Sequence, residues 1–440
     1  MGLKIWRWTD AAKVRSLYEL LETLPDYRRD KGKIQHHVQD VVMIMILAYA
    51  CGKSSLRRAH EWARRNKKKL IKYLKLQHGI PSVSTIQRVM AHIKEADLND
   101  VLMEWTAQFI TFVNRQLIID GKALRGSTQR IIDGSTPYVL NVIDKATRLV
   151  IAQMSIPAKT NEITAIPEML RMLDLRGNII TIDAIGTQVE IMEYVLDQGG
   201  HFVLTVKKNQ PSLYEEITGY FRQIEKTMSD PMPTTMKEKE YLDFLLENFD
   251  KYEKSERNRE RHEYRSMKVF RHPVLAVRDE DIFRRVNTVG VSDQVRIRIE
   301  KDKDGNDITP DKKTFLKRGS VRHPKVTEGD QITDDHEVVG MISDLKLSAE
   351  EMQDVKRSHW QVETMHHILD DTLGEDRSTA KVGKSSYALI RRFAYNLMKL
   401  HQGNEIEYDP DNSFAIVADE FCEDFNLLRK FAFKPITAVL

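Results

Sequence analysis

The sequence has little cysteine, no long apolar run and no complete signature of a common cofactor site, and each absence removes a class of protein. Two cysteines in 440 residues, Cys51 and Cys422, are too few for a disulfide scaffold or a zinc framework. The longest uninterrupted apolar run, residues 41–51, has 11 residues, well short of the roughly 20 that span a bilayer, and reads as a buried helix. No basic start, apolar stretch and small-residue cleavage site opens the chain, so a bacterial cytoplasmic, nucleoid-associated setting with no membrane is expected. The GKS triplets at 52–54 and 383–385 resemble the end of a phosphate-binding loop. However, Leu47 and Ser378 stand where its first glycine belongs, which argues against an NTPase. Asp302 to Asn306 is followed by Asp307 where a calcium loop needs glycine, and reads as a turn.

The composition that remains, 41% hydrophobic and 30% charged, is that of a globular chain long enough for two or three domains. The net charge of +3 conceals an asymmetry. Residues 1–115 hold 21 Lys and Arg against 11 Asp and Glu, a balance of +10, so the remainder carries 47 against 54, or −7. A basic block joined to an acidic remainder fits a nucleic-acid-binding module beside a second function, and equally fits a solvated charged face.

Periodicity divides the chain further. A short helix is expected over 13–24, ended by Pro25 and followed by a basic linker at 27–33. An apolar helix follows over 38–51. The next helix, capped by Ser54 and Ser55, carries Arg57, Arg58, Arg64, Arg65, Lys67, Lys68 and Lys69, a density that suits phosphate contact. A Gly/Pro break at 79–84 and a helix over 85–93 with Gln87 and Arg88 outward complete a helix-turn-helix pattern, which many all-helical caps share. At Gln116 the texture changes. Strands are expected at 117–120, 138–143, 149–154, 178–183 and 200–206, with helices over 161–173 and 187–197 between them. That order is the ribonuclease-H-like one, lacking only a closing helix that carries acid.

Residues 357–371 can supply that helix. Trp360, Val362, Met365, Ile368 and Leu369 recur at helical steps, and Glu363 stands among His359, His366 and His367 at spacings of three and four. Between residues 207 and 347 a mixed, β-containing insertion is expected: helical text up to Lys254, then strands at 263–270, 286–300 and 338–345, with a flexible excursion near 304–306. A further helix at 389–400 and an acidic tail from Glu405 to Glu423 complete the chain.

Asp120 and Asp183 end neighbouring strands, and Glu363 lies on a helix that could pack across them. Phosphodiester chemistry uses such a set, because two divalent ions about 4 Å apart need rigidly held oxygen ligands. The plainer alternative is that Asp120 begins an Asp-Gly turn and Asp183 caps a helix. The histidines around Glu363 form no His-Glu-x-x-His, which argues against a zinc hydrolase.

Several runs together carry a resemblance: residues 119–127 (IDGKALRGS), 160–168 (TNEITAIPE), 182–188 (IDAIGTQ), 203–211 (VLTVKKNQP), 359–366 (HWQVETMH) and 374–377 (GEDR). They closely resemble the H-repeat-associated, ISAs-type insertion-sequence transposases of the DDE superfamily. Residues 24–29 (LPDYRR) and 81–85 (PSVST) resemble that family's associated N-terminal domain, and the likeness runs from about residue 17 to 401. It implies an RNase-H-like core interrupted by an insertion, with Asp120, Asp183 and Glu363 as the triad at separations of 63 and 180 residues. It also implies Mg2+ as two ions, with Mn2+ able to substitute, double-stranded DNA at transposon ends and target, and a homodimer on paired ends. Lys122, Lys207 and Arg357 lie beside the motifs and are candidates for either phosphate contacts or structural ion pairs. Two departures stand out. His367 occupies an expected tryptophan, and Lys356, His359 and Asp370 do not supply the Tyr, Arg and Lys that accompany the glutamate in a related group. The expected architecture is α/β: a helical, basic DNA-binding domain at 1–115, the core at 116–210 and 348–402, the insertion at 211–347 and a tail at 403–440. Expected activity is cleavage and strand transfer, with a domesticated DNA-end-binding protein or a nuclease without strand transfer as alternatives.

Overall fold

The structure is a computed structural model. It describes residues 14–28, 32, 34–110, 114–124, 137–156, 162–230, 235–258, 261–275, 281–298, 300–301, 307–308, 335–378, 380, 382–403 and 413–436. The turn and excursion expected at 302–306, the start of the expected first helix, most of the basic residues of the 27–33 linker and the first part of the acidic tail lie outside these residues.

In chain order the helices begin with α1 (Leu17–Leu21), α2 (Val38–Ala50), α3 (Leu56–Arg65), α4 (Lys67–Leu70), α5 (Val83–His92) and α6 (Glu95–Thr106). Strands β1 (Gln116–Ala123), β2 (Tyr138–Asp144) and β3 (Val150–Ile156) precede α7 (Glu162–Leu170), β4 (Ile179–Ile182), α8 (Val189–Asp197) and β5 (His201–Val206). Next come α9 (Pro211–Ser229), α10 (Met236–Asn248), β6 (Phe249–Asn258), β7 (Arg261–Arg271), α11 (Asp281–Arg284) and β8 (Thr288–Arg298). A small ribbon of β9 (Glu300–Lys301) and β10 (Asp307–Ile308) leads to β11 (Asp335–Ser343). The chain then forms α12 (Ala349–Ser358), α13 (Trp360–Asp371), α14 (Lys384–Gly403), α15 (Phe414–Glu423) and α16 (Phe425–Ala432). Two compact units result: Met1–Ile179 with His359–Leu440, and Ile180–Ser358.

The first unit is built around α14, in which Tyr387 to Met398 are buried without interruption. The apolar helix α2 packs along it, as its sequence demands, with all but one of its 13 residues buried. Strands β3, β2 and β1 form an antiparallel meander, with Asp120 opposite Asn141 and Asn141 opposite Gln153. Asn396 on α14 stitches the helix to β3: its Oδ1 accepts from the Val150 N–H at 2.9 Å and its Nδ2 donates to the Val150 carbonyl at 2.8 Å. On α6, Asn99 accepts from the Gln153 N–H at 2.8 Å. The change of texture at residue 115 is therefore not a change of packing, because α2, α6 and the meander share α14. Helices α15 and α16 give the C-terminal tail a structural role, with Phe414 stacked on Tyr395 at 5.2 Å and Phe433 on Tyr73 at 5.1 Å.

In the second unit the strand order is β4-β5-β11-β8-β7-β6, with antiparallel pairing from β5 to β6. The expected insertion does not stand apart: β11 pairs with β5 through Gly340–Val206 to Ser343–Val203. Helical text also ends earlier than Lys254. Residues 249–258 are strand β6, whose charged sequence is held extended by ten register partners on β7. Gly290 on β8 allows α12 to approach, since a Cβ there would lie 2.4 Å from Met352 Sδ.

Replacing Asn396 by Leu keeps bulk but leaves the buried N–H and carbonyl of Val150 without their partner. We expect a loss of roughly 2–5 kcal/mol in unfolding free energy by urea denaturation, the cost of two orphaned backbone groups.

Candidate active site

The three acids are divided between the units: Asp120 and Glu363 in the first, Asp183 in the second. Strand β1 does not end at Asp120, as expected from the Asp-Gly pair. It runs on to Ala123, because Gly121 and Lys122 continue the ladder opposite Leu140 and Val139. Asp120 is thus inside a strand, with a side chain 23% exposed and Oδ2 3.6 Å from His366 Nδ1. Burial first, then the positive charges of Lys122 and Arg392, press the His366 imidazole down to about 3, so it stands beside Asp120 as a neutral ring and the contact is not an ion pair. Its Nε2 is buried with no hydrogen-bond partner among the described residues.

The expected single helix over 357–371 is two helices, with His359 between them (φ −59°, ψ −27°). Val362, Met365 and Leu369 form the buried stripe of α13, and Glu363 is exposed in its first turn. Trp360, read as part of that stripe, is 47% exposed, and His367 is also exposed, whereas His366 turns inward.

Lys122 is buried. It donates to Asp370 Oδ1 at 2.6 Å and Oδ2 at 2.7 Å and lies 3.8 Å from Glu375 Oε2, so the structural ion pair, not the phosphate contact, matches its placement. Glu375 is in turn paired with Arg392, whose Nε donates to Asn141 Oδ1 at 3.0 Å. Sequence reasoning missed this network. Its trace was Arg391 and Arg392 inside the apolar text of α14, a placement that requires buried partners.

Asp183 directly follows β4 and caps a 3-10 turn (Ala184–Gly186), with Oδ1 accepting from the Ala184 N–H at 2.7 Å. The capping alternative is therefore realised in geometry, yet the side chain stays 50% exposed. A line of charge leads away from it: Lys207 Nζ lies 3.6 Å from Asp183 Oδ1 and 3.5 Å from Glu337 Oε1. Glu337 Oε2 is 4.0 Å from Lys356 Nζ, which donates to Ser292 Oγ at 2.9 Å. Arg357 pairs with Glu256, which Arg265 also holds, and together the two guanidiniums bring that carboxyl down to about 2 against the opposing effect of its own burial. Lys207 and Arg357 thus both have acidic partners while remaining partly exposed.

Among the described residues, no three His, Cys, Asp or Glu side chains come close enough together to hold a metal ion. The donor chemistry still suits a hard cation: carboxylate oxygens, two of them partly solvated and lying at or beside strands. The expected DNA-contact residues of the N-terminal helices face solvent. Arg57, Arg58, Arg64 and Arg65 on α3, Lys67 and Lys68 on α4, and Gln87 and Arg88 on α5 are all exposed, and α3 packs on α5. The α3–α4 break falls at Asn66, whose side chain donates back to the Trp62 carbonyl at 3.0 Å. No helix among the described residues is long and apolar enough to cross a membrane.

The chain matches the family model described as "Transposase DDE domain" over residues 112–397, and the associated model, "DDE_Tnp_1-associated", over 18–106. It belongs to the DDE transposase family, as an H-repeat-associated member. Among its relatives is YhhI of Escherichia coli K12, named an H repeat-associated putative transposase, 28% identical over 395 residues that cover 88% of this chain and 91% of the relative. YbfD of the same organism carries the same description and is 33% identical over 202 residues, 46% of this chain and 79% of the relative. A piggyBac transposase synaptic complex with hairpin DNA aligns at 9% identity and a TM-score of 0.37, over 96% of this chain and 79% of that one, a likeness too low to bear on the fold.

Burial holds the Lys356 amine down at about 8, and Glu337 only partly offsets this. Between pH 8 and 10.5 the folded chain therefore sheds this proton while the unfolded chain keeps it, so stability rises with pH across that window. In pH-dependent urea denaturation, the Lys356→Met variant should lack this component of the rise.

Proposed function

We propose that this transposase cuts double-stranded DNA at the ends of an insertion sequence and joins the exposed 3′-hydroxyl to target DNA, with Asp120, Asp183 and Glu363 acting as one carboxylate set. The observation that most supports this is where the acids stand: in a chain of the DDE family, each lies in one of the runs that resemble its transposases. Asp120 and Asp183 also keep solvent-accessible carboxylates, whereas structural acids such as Asp144 and Glu375 are sealed in the core.

The three carboxylates would hold two Mg2+ ions, or Mn2+ in their place. When bound, such ions acidify an attacking water or hydroxyl and neutralise the leaving oxygen. The chain's own contribution is placement. Asp120 is fixed by the β1–β2 ladder, and Asp183 by its bond to the Ala184 N–H. Lys207, beside Asp183, offsets negative charge in the metal-free protein and can turn to a DNA phosphate when that charge is taken up by cations. Arg357 is a second such candidate, and the neutral His366 adds no competing charge beside Asp120. The exposed basic face of α3 and α4 would follow the DNA backbone, with Gln87 and Arg88 of α5 at base edges and two copies of the chain on paired ends. The setting is the bacterial cytoplasm, on DNA.

The test mixes purified protein, labelled insertion-sequence ends and Mg2+. We expect cleavage and joining by the native chain, and a loss of at least about a thousandfold in Asp183→Asn, since the step depends on the metal-held set. Equal cleavage by both would overturn the carboxylate assignment. Binding without cleavage would mark a domesticated DNA-end-binding protein, and cleavage without joining a nuclease.

The basic face has its own signature. Replacing Arg64, Arg65, Lys67 and Lys68 by alanine should weaken binding to all sequences alike and flatten the plot of log affinity against log salt by about 0.9 for each phosphate that is no longer neutralised. Gln87→Ala should instead relax discrimination between end and random DNA, by about 1–3 kcal/mol for a base contact. Competition binding at several salt concentrations separates the two.

A further inference from the structure

We infer that the Lys122–Asp370 ion pair is a clamp that sets the strand carrying Asp120 and the helix carrying Glu363 in register; the inference rests on the carboxylate assignment proposed above. Side chains two apart on a strand share a face, so Lys122 stands on the Asp120 side of β1. On α13, residues three, four and seven apart share a face, which aligns Glu363, His366 and Asp370.

Two contacts join these faces. His366 Nδ1 lies 3.6 Å from Asp120 Oδ2, and Asp370 accepts from Lys122 at 2.6 and 2.7 Å. Their spacings match. Two residues of strand advance roughly 6.6 Å, and four residues of helix advance about 6 Å. The helix therefore runs alongside the strand in the same direction, with 366 against 120 and 370 against 122 as two rungs. Glu363, three residues before His366, then falls about 4.5 Å along the helix axis from the Asp120 rung. The clamp rung does not touch Glu363; it fixes the helix on which Glu363 sits.

The clamp is anchored from behind. Glu375 approaches Lys122 at 3.8 Å and pairs with Arg392, and Arg392 binds Asn141, the cross-strand partner of Asp120. The chain of contacts thus returns to the strand position it started from, through β2 and α14. Lys122 and Asp370 are positioning residues, and a phosphate could reach Lys122 only by displacing Asp370.

The test uses the full chain, prepared metal-free for hydrogen exchange and then titrated with Mn2+. Asp370→Asn keeps the shape and removes the charge at a side chain that is 31% exposed, and Lys122→Met serves as a second, harsher variant. Hydrogen exchange of the α13 amides reads the clamp, that of the α14 amides serves as control, and Mn2+ affinity by electron paramagnetic resonance reads the effect on the site. In Asp370→Asn we expect faster exchange in α13 with α14 unchanged, and Mn2+ binding weakened by about tenfold, the loss usual when a group behind the metal ligands is removed. Unchanged α13 exchange would overturn the clamp. Faster exchange with unchanged Mn2+ affinity would overturn its bearing on the site. An Asp120→Asn control separates the two ideas: if it binds Mn2+ as the native chain does, the carboxylate assignment fails, while the exchange data still judge the clamp.

Discussion

Arg392 has no exposed side chain, and a guanidinium in that position must be neutralised and hydrogen-bonded or the first unit is heavily penalised. Glu375 supplies the charge, Asn141 Oδ1 and the Ala388 carbonyl accept further hydrogen bonds from the guanidinium, and Lys122 is drawn toward the second oxygen of Glu375. One buried cation therefore fixes the relation of α14, β2, the segment after α13 and β1. The neighbouring Arg391 works similarly, donating to the Leu373 carbonyl at 3.0 Å and lying 4.9 Å from the ring centre of Tyr49 on α2. Two consecutive arginines on one helix thus bind the N-terminal helices and the strand meander to a common core.

Electrostatics differ between the halves that carry the acids. Around Asp120, whose side chain is the less exposed of the two strand acids, the neighbours are fixed: His366 is kept neutral and Lys122 is committed to Asp370. Asp183 is more exposed, and charge is traded along the line Lys207, Glu337, Lys356. The first arrangement favours fixed geometry, while the second offers cations that can exchange partners when charge arrives. Metal-assisted phosphoryl chemistry uses both properties.

Much of the fold is legible in the sequence. The meander is visible because residues 138–143 and 149–154 are short apolar runs around a turn, and β2 and β3 differ from those bounds by one or two residues. The order of strands and helices through β5 also follows, whereas Asp183, expected as the last residue of its strand, lies one residue beyond β4. Other features depend on partners distant in sequence. Residues 249–258 are charged and have no apolar alternation, so only pairing with β7 makes them a strand. Asp120 followed by glycine looks like the start of a turn, and only the opposing β2 carries β1 onward. Lys122, 248 residues from Asp370, cannot be assigned as clamp or phosphate ligand by spacing alone. The exposure of Trp360 likewise depends on which side of α13 meets the core, a choice that helical period leaves open.

Whether Asp120, Asp183 and Glu363 serve one metal-holding site is tested most directly by anomalous diffraction from crystals of the full chain bound to insertion-sequence-end DNA in Mn2+. We predict Mn2+ peaks ligated by carboxylate oxygens of all three residues, with a DNA phosphate beside them. Mn2+ ligated elsewhere, or a site that leaves Asp183 on Lys207 and free of metal, would contradict that role.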